Sequence, residues 1–263
     1  MTEHILNTAV WGDGSGTTLE ATLRAIHEGV VDFEVDTVFT SDGKAGILDV
    51  VAHANNHLGM DIKPVVLTKS RVNHWQTPEA EEQFLNLAGA NNVKNVMLMG
   101  SLVIMGADAV RHFNGIVPEQ PLPHTLEEAK KLMMPTASFY EYQLPASFPD
   151  IVYTGRYGLM NAHPAPTIVT ANTYGQAASR RMIDLRSIES AVTFHAVAPE
   201  IDTGPIAAAH KFSVDLPSPN ADEATKDDAA KKLFRWAQRV EKATLPLDVE
   251  IHLKNRQDYL NAA

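Results

Sequence analysis

Short apolar runs alternate with amphipathic segments along the first half of the chain. Four runs have the length and the apolar or β-branched content of strands, namely residues 5–11, 34–40, 62–67 and 94–99. The helical period of the intervening segments predicts helices over residues 17–28, 45–57 and 78–91. Because this alternation with short connections joins parallel strands by right-handed crossovers, it predicts an α/β fold. Ligands are then expected beyond the carboxyl ends of the strands.

Two short motifs predict where helices begin. Thr77 stands where an N-cap belongs, and Pro78 occupies the first helical position, where proline is tolerated. Thr125 and Glu128 have the spacing of a capping box, which predicts a short helix that ends before Pro135.

The alternation stops between about residues 116 and 155. Six of the fifteen prolines fall in this segment, a density that disfavours regular sheet and long helices. The segment is therefore predicted to be an insertion. A surface excursion without function is favoured for it, and a lid or an interface are the alternatives.

Regular structure is expected to resume after the insertion. Strands are predicted near residues 156–161, 190–197 and 205–214, followed by a helical stretch from about 222 to 245. This stretch opens on Asp222 and carries mixed charges, so a solvated helix face is favoured over a docking role.

Charge and composition exclude several classes of function. The chain of 263 residues has 22 Lys and Arg against 32 Asp and Glu, a net charge of −10, which disfavours binding to nucleic acid or to anionic membranes. The absence of cysteine excludes disulfides, thiolate metal sites and cysteine nucleophiles. Residues 1–7 do not resemble a signal peptide, and no apolar stretch is long enough to span a membrane. A soluble cytoplasmic protein is expected.

A glycine-rich segment, residues 12–18, follows the first predicted strand and leads into the first helix. Glycines allow a sharp turn and close approach of a ligand, and a helix N-terminus offers N–H groups to a phosphate. The alternative is a tight turn with Thr17 as the helix cap. The residues alone favour neither interpretation, since the segment lacks the full dinucleotide and P-loop patterns.

Three polar residues of the second half are candidates for catalysis. If the strand near 156–161 extends to residue 163, alternation places Asn161 and His163 on one side, at the edge where ligands bind. Asp202 follows the strand that carries His195, and its carboxyl group could orient a histidine or relay protons. The alternatives are a structural histidine and an acid that serves only the turn. A metal site formed by His163, His195 and Asp202 is disfavoured because the sequence contains no short ligand spacing.

Taken in chain order, these segments resemble the folate-dependent formyltransferases, and among them most closely the phosphoribosylglycinamide formyltransferases. The catalytic Asn, His and Asp of that family lie in an Asn-x-His-Pro motif and in a later His-x7-Asp-x-Gly-Pro pattern. Here the matching residues are Asn161, His163, His195 and Asp202. The resemblance implies a Rossmann-like, mostly parallel twisted sheet with helices on both faces. It also implies a single domain, residues 1–263, with its core at 5–115 and 156–250 and the insertion at about 116–155.

The resemblance further implies which residues bind the substrates. The nucleotide would be held by the phosphate loop and by a Gln/Glu pair near the C-terminus: Gly14, Gly16, Thr17, Thr18, Gln238 and Glu241. The folate would be held by a strand and loop around the pterin and by the segment before Asp202: Leu102, Val103, Ile104, Met105, Ala198 and Glu200.

The implied reaction transfers a formyl group from 10-formyltetrahydrofolate, the co-substrate, to the amine of glycinamide ribonucleotide in purine biosynthesis, without a metal. Asn161 and protonated His163 would stabilise the oxyanion intermediate, and Asp202 would assist proton transfer. The expected partners are therefore small molecules, with no nucleic acid and no membrane, and the expected protein is a monomer or homodimer.

The chain departs from the family pattern in three places, the first being segment 116–155, which has no counterpart in the compact family core. The loop after Pro164, residues 165–175, lacks the usual Leu-Leu-Pro and Pro-Gly, and Thr18 stands where an Asn is common. Three alternative functions use the same residues: a formyltransferase acting on another amine such as an amino-sugar nucleotide, a formyltetrahydrofolate hydrolase, and a non-catalytic folate or nucleotide binder. The hydrolase is disfavoured because no regulatory domain is found. A methionyl-tRNA formyltransferase is disfavoured by the acidic charge and by the lack of an RNA-binding domain.

Overall fold

The computed structural model describes residues 7–67, 71–72, 75–100, 104–118, 123–138, 140–146, 148, 155–170, 173 and 175–262. The strands are β1 Thr8–Trp11, β2 Thr37–Thr40, β3 Lys63–Val66, β4 Arg71–Val72, β5 Trp75–Gln76, β6 Asn95–Leu98, β7 Met134–Pro135, β8 Tyr142–Gln143, β9 Leu159–His163, β10 Glu189–Ala196 and β11 Ile206–Ser213. The helices are α1 Thr17–His27, α2 Gly46–His57, α3 Pro78–Ala90, α4 Ala107–Asn114, α5 Leu126–Lys131, α6 Thr167–Thr170, α7 Gln176–Asp184 and α8 Glu223–Ala262.

Seven strands form a mixed sheet in the order β11-β10-β9-β6-β1-β2-β3. The pairs β1/β2, β2/β3, β1/β6 and β6/β9 are parallel, whereas β10 and β11 are antiparallel. The predicted α/β fold with a mostly parallel sheet is therefore confirmed. The predicted strands and the first three helices match the observed ones to within a few residues. For most of them the apolar runs coincide with buried positions, whereas β3 is largely exposed.

The chain divides into two compact units, and the division runs through β9, between Ala162 and His163. The first unit comprises residues 1–117, 153–162 and 245–263, and the second comprises residues 118–152 and 163–244. This division does not test whether the chain is one domain, which stays a prediction.

The first unit is built on parallel strands that are buried on both faces. Every residue of β1, β2 and β6 is buried, as is typical of parallel strands. Trp11, Phe39 and Phe84 form an aromatic cluster whose ring centroids lie 5.0 to 6.0 Å apart. All three belong to the largest fully buried side chains of the protein. Because Phe84 is part of α3, the packing of these rings holds α3 against the strands.

The second unit has its own apolar core, to which the predicted insertion contributes. Ala129, Met133, Leu144 and Phe148 of that segment belong to the same buried cluster as Met182 of α7. Its helix α5 begins with the predicted capping box of Thr125, and a short hairpin joins β7 to β8. The expected surface excursion is thus wrong for the described part of the segment, because its apolar residues complete a core.

Helix α8 extends beyond its predicted end near residue 245. It continues to Ala262 with Pro246 inside it. Leu245, Val249 and Leu253 follow at intervals of four residues and are all buried, so one face packs against the first unit's other residues. Burial of this face outweighs the loss of one backbone hydrogen bond at the proline. In the ranges described above, no helix combines the length and the apolarity needed to cross a membrane.

Candidate active site

Strand β9 carries two of the three predicted catalytic residues. The strand does extend to His163, so the alternation that places Asn161 and His163 on one side of it holds. Asn161 lies in register with Leu98 of β6 and is half-buried. His163 is buried, and Pro164 follows it as the strand ends.

The loop between β10 and β11 holds Asp202 in a constrained conformation. Asp202 has a φ of 59°, a left-handed conformation that aspartate tolerates better than most residues. The loop is closed by a hydrogen bond of 2.9 Å from the Ala196 N–H to the Pro205 carbonyl, and the Thr203 hydroxyl donates to the Glu200 carbonyl. A Cβ at Gly204 would overlap the Ala196 carbonyl oxygen, so only glycine fits there.

A bulge in β10 precedes this loop. The register of β10 against β11 shifts between Phe194 and His195, and such a shift re-aims a side chain. The His195 ring lies near the same carboxyl group as His163, at the other of its two oxygen atoms.

The carboxyl group of Asp202 lies between two imidazole rings. Its Oδ2 atom lies 3.6 Å from Nδ1 of His163, and its Oδ1 atom lies 3.6 Å from Nε2 of His195. All three side chains are buried and belong to the second unit. The distances are too long for hydrogen bonds, and Oδ2 accepts no hydrogen bond from any described residue. The structure thus brings the rings of His163 and His195 together at the carboxyl group of Asp202, whose Oδ2 atom is not used in a hydrogen bond to the described fold.

Burial opposes charge on each member of this trio. It raises the pKa of Asp202, an effect that the nearby His195 partly offsets. It lowers the pKa of His163 to about 4 and lowers that of His195, where Asp202 acts in the opposite direction. The ring of His163 is therefore neutral in the ligand-free chain at neutral pH, and its protonation during the reaction stays a prediction. Opposed shifts on neighbouring groups are typical of sites that exchange protons.

Sequence reasoning missed Thr170, the last residue of α6. This residue is fully buried, and its Oγ1 atom lies 3.4 Å from Nε2 of His163. Nothing in the sequence distinguishes it from other threonines of the same loop. Within the described parts of the chain there is no group of three or more metal-ligating side chains that could hold an ion.

The glycine-rich segment turns tightly at the start of α1. Gly16 is the N-cap, with a φ of 73°, and it makes no side-chain cap, so the alternative in which Thr17 caps the helix is wrong. A Cβ at Gly12 would lie 2.6 Å from the Met99 carbonyl oxygen, and one at Gly16 would lie 2.7 Å from Cα of Ile47. Close packing thus requires both glycines.

The predicted phosphate-binding residues lie in this turn or just after it. Thr17 and Thr18 form the first turn of α1, and Gly14 accepts a hydrogen bond from the N–H of Ile47. Asp13 is buried, and its carboxylate accepts a 2.6 Å hydrogen bond from the N–H of Ser41. Phosphate binding here stays a prediction.

The residues predicted to bind folate are only partly described. Leu102 and Val103 lie outside the described residues. The Ile104 carbonyl accepts a hydrogen bond from the Gln76 N–H, and Met105 is buried. In the second unit, Ala198 is buried whereas Glu200 is exposed.

The predicted ribose-binding pair lies on α8, one turn apart. Gln238 is half-buried, and Glu241 is only 7% exposed. The pair is therefore not simply a solvated part of the helix surface, although its role in binding stays a prediction.

Comparisons with known proteins give a consistent match in structure. No sequence model of a protein family matches the chain, and no curated protein matches it in sequence. A phosphoribosylglycinamide formyltransferase from Bacillus halodurans is 18% identical, with a TM-score of 0.62, and the match covers 94% of this chain and 93% of that one. A glycinamide ribonucleotide transformylase from Geobacillus kaustophilus is 17% identical, with a TM-score of 0.64 and coverage of 95% and 100%. A phosphoribosylglycinamide formyltransferase from Anaplasma phagocytophilum is 16% identical, with a TM-score of 0.61 and coverage of 95% and 87%. The chain therefore has the fold of the phosphoribosylglycinamide formyltransferases, the family that its motifs resemble.

Proposed function

We propose that this protein transfers a formyl group from 10-formyltetrahydrofolate to the amine of glycinamide ribonucleotide, a step of purine biosynthesis. The observation that carries the proposal is the buried carboxyl group of Asp202 between two imidazoles. It lies in a chain whose fold is that of the phosphoribosylglycinamide formyltransferases. A carboxyl group buried without a hydrogen bond to Oδ2 costs stability, which a site that exchanges protons would explain.

The amine attacks the formyl carbon and forms a tetrahedral intermediate with a negatively charged oxygen. The Asn161 amide and the His163 ring, on alternate residues of β9, are the proposed donors to this oxygen, whose charge exists only near the transition state. Asp202 and His163 together move one proton from the attacking amine to the departing folate nitrogen as the carbon–nitrogen bond to the folate breaks. The reaction needs no net proton from solvent.

The predicted binding residues complete the proposal. The first turn of α1, with Gly14, Gly16, Thr17 and Thr18, would hold the phosphate through N–H groups and hydroxyls. Met105 and Ala198, each buried within its own unit, stay the predicted folate contacts. The cytoplasmic location and the monomeric or homodimeric state stay predictions.

One assay separates this function from its alternatives. The protein is incubated with 10-formyltetrahydrofolate, and the absorbance of the folate product is followed with glycinamide ribonucleotide present, omitted or replaced by an amino-sugar nucleotide. Product that requires the nucleotide supports the proposal, and product without it indicates a hydrolase. Product only with an amino-sugar nucleotide indicates another acceptor, and no product indicates a binder.

Variants test the assigned donors. Asn161→Ala and His163→Ala are each expected to lower kcat by about 10²–10³, the usual effect of removing an oxyanion donor. Asn86→Ala and His53→Ala, at exposed positions of α3 and α2, are the matched controls and should keep full activity. Wild-type turnover in either site variant would contradict the assignment.

A further inference from the structure

The hydroxyl of Thr170 has two neighbours that compete for its single hydrogen. Its Oγ1 atom lies 2.8 Å from the carbonyl oxygen of Pro166 and 3.4 Å from Nε2 of His163. A backbone carbonyl can only accept, so the hydroxyl donates to Pro166 and offers His163 only a lone pair. Nε2 of His163 must then carry a hydrogen for the contact to be favourable.

The second ring of the trio is oriented by the same logic. Nδ1 of His195 lies 3.0 Å from the carbonyl oxygen of Ala196, so this nitrogen carries the hydrogen. In the neutral ring, Nε2 therefore presents a lone pair to Oδ1 of Asp202.

Both nitrogens that face Asp202 are thus unprotonated when the rings are neutral. An ionised carboxylate between two lone pairs would be repelled on both sides at 3.6 Å. This repulsion is removed when His163, His195 and Asp202 together hold one further proton, either on the carboxyl group or on one ring.

We propose that Thr170 is a positioning residue that fixes His163 in the tautomer protonated at Nε2, so that the exchangeable proton lies between Nδ1 and Oδ2 of Asp202. This inference rests on the proposed function and adds the order of events to it. As the oxyanion forms, it replaces Thr170 as the acceptor of the Nε2–H group. The O–H bond of Asp202 breaks and an N–H bond forms at Nδ1, which leaves a carboxylate and an imidazolium that faces the negative oxygen. The carboxylate then takes a proton from the attacking amine. As the bond between the formyl carbon and the folate nitrogen breaks, the imidazolium gives one proton to that nitrogen, which returns the trio to its starting number of protons.

The tautomer can be measured directly, without substrate. The ring nitrogens of His163 are observed by ¹⁵N NMR at pH 8, where the ring is neutral, and they are assigned by comparison with His163→Gln. The wild type is expected to show a protonated Nε2 and a bare Nδ1. Thr170→Val, which has the same shape without the hydroxyl, should populate the other tautomer. Thr170→Ser should restore the wild-type pattern.

A matched control separates this effect from the general loss of a buried hydroxyl. The Thr193 hydroxyl donates to the Ala165 carbonyl at 2.9 Å and contacts no histidine in the described structure. Thr193→Val should therefore leave the tautomer of His163 unchanged. A wild-type ring protonated at Nδ1 would overturn the inference even if Thr170→Val does not fold, and so would an unchanged tautomer in a folded Thr170→Val.

Kinetics provide the second readout. If the protein transfers formyl groups, kcat of Thr170→Val should fall in proportion to the remaining fraction of the Nε2–H tautomer, with KM for the nucleotide changed by less than about twofold. A loss confined to KM would contradict a positioning role. Because the NMR experiment needs no turnover, an inactive protein with the expected tautomer would refute the proposed function alone.

Discussion

Replacing Asp202 by asparagine is expected to lower activity and raise stability. The substitution keeps the shape of the side chain, and asparagine accepts the left-handed conformation at φ 59°. It removes the ionisable group that lies between the rings of His163 and His195. The new amide can donate a hydrogen to one of the ring lone pairs.

The stability effect follows from burial of the carboxyl group. Burial raises the pKa of Asp202 above its ordinary value, so the folded state holds the proton more tightly than the unfolded state does. This contribution to stability is complete below the ordinary pKa of aspartate, about 3.9, and is lost as the pH rises through the higher folded pKa. The neutral amide of the variant carries no such cost, so Asp202→Asn should be more stable than the wild type at pH 8 by about 1–3 kcal/mol. The difference should shrink towards pH 5.

The activity effect has the opposite sign, because asparagine cannot exchange the proton. A positioned acid or base contributes about 10²–10⁴ to the rate, and kcat of Asp202→Asn should fall by that factor. Unfolding in urea at pH 5 and pH 8, together with the formyl-transfer assay, measures both effects on the same samples.

The exposed Asp228, which pairs with Lys232 on α8, supplies the matched control. Asp228→Asn should leave stability and turnover essentially unchanged, because an exposed ion pair contributes little. An Asp202→Asn protein that is less stable than the wild type at pH 8, with no dependence on pH, would refute the reasoning from burial. Turnover within a factor of about ten of the wild type would refute the role of the proton.

Three further outcomes are expected away from the catalytic trio. Burial, assisted by the charge of Arg256, lowers the pKa of His252 to about 4. Protonation of His252 should therefore lower the free energy of unfolding by about 3 kcal/mol as the pH falls from about 6.5 to 4. In urea unfolding His252→Gln should lose less stability than the wild type over that range, and equal losses would contradict the prediction. Gly204→Ala should destabilise the protein by about 2–3 kcal/mol or more, because the added Cβ would overlap the Ala196 carbonyl oxygen; a wild-type Tm would show that the loop yields. Thr125→Ala should cost about 1 kcal/mol through loss of the capping box of α5 while turnover stays unchanged, and unfolding in urea that is indistinguishable from the wild type would show that the cap is dispensable.

Prediction from the sequence succeeded where the signals are local. The N-caps at Thr77 and Thr125 were confirmed, because a cap joins a side chain to an N–H group three residues away. The prediction of where α8 ends was wrong. The helix continues beyond Pro246 because Leu245, Val249 and Leu253 are buried, and this burial depends on residues that are distant in the sequence. The surface excursion expected after residue 116 failed for the same reason: the prolines hide its structure, and only the packing of its apolar residues shows that they belong to a core.

The candidate site divides in the same way. The order of strands and helices, the alternation that pairs Asn161 with His163, and the motif that singles out Asp202 are all present in the chain itself, because each depends on neighbours along the sequence. The two equal distances from Asp202 to His163 and His195 depend on a bulge in β10 and a closed loop after it. The protonation of His163 depends on its burial and on the hydroxyl of Thr170. The sequence by itself determined which residues are available for chemistry, and only the tertiary structure decided their charge and tautomer, because desolvation and hydrogen bonding arise from groups that are brought together by folding.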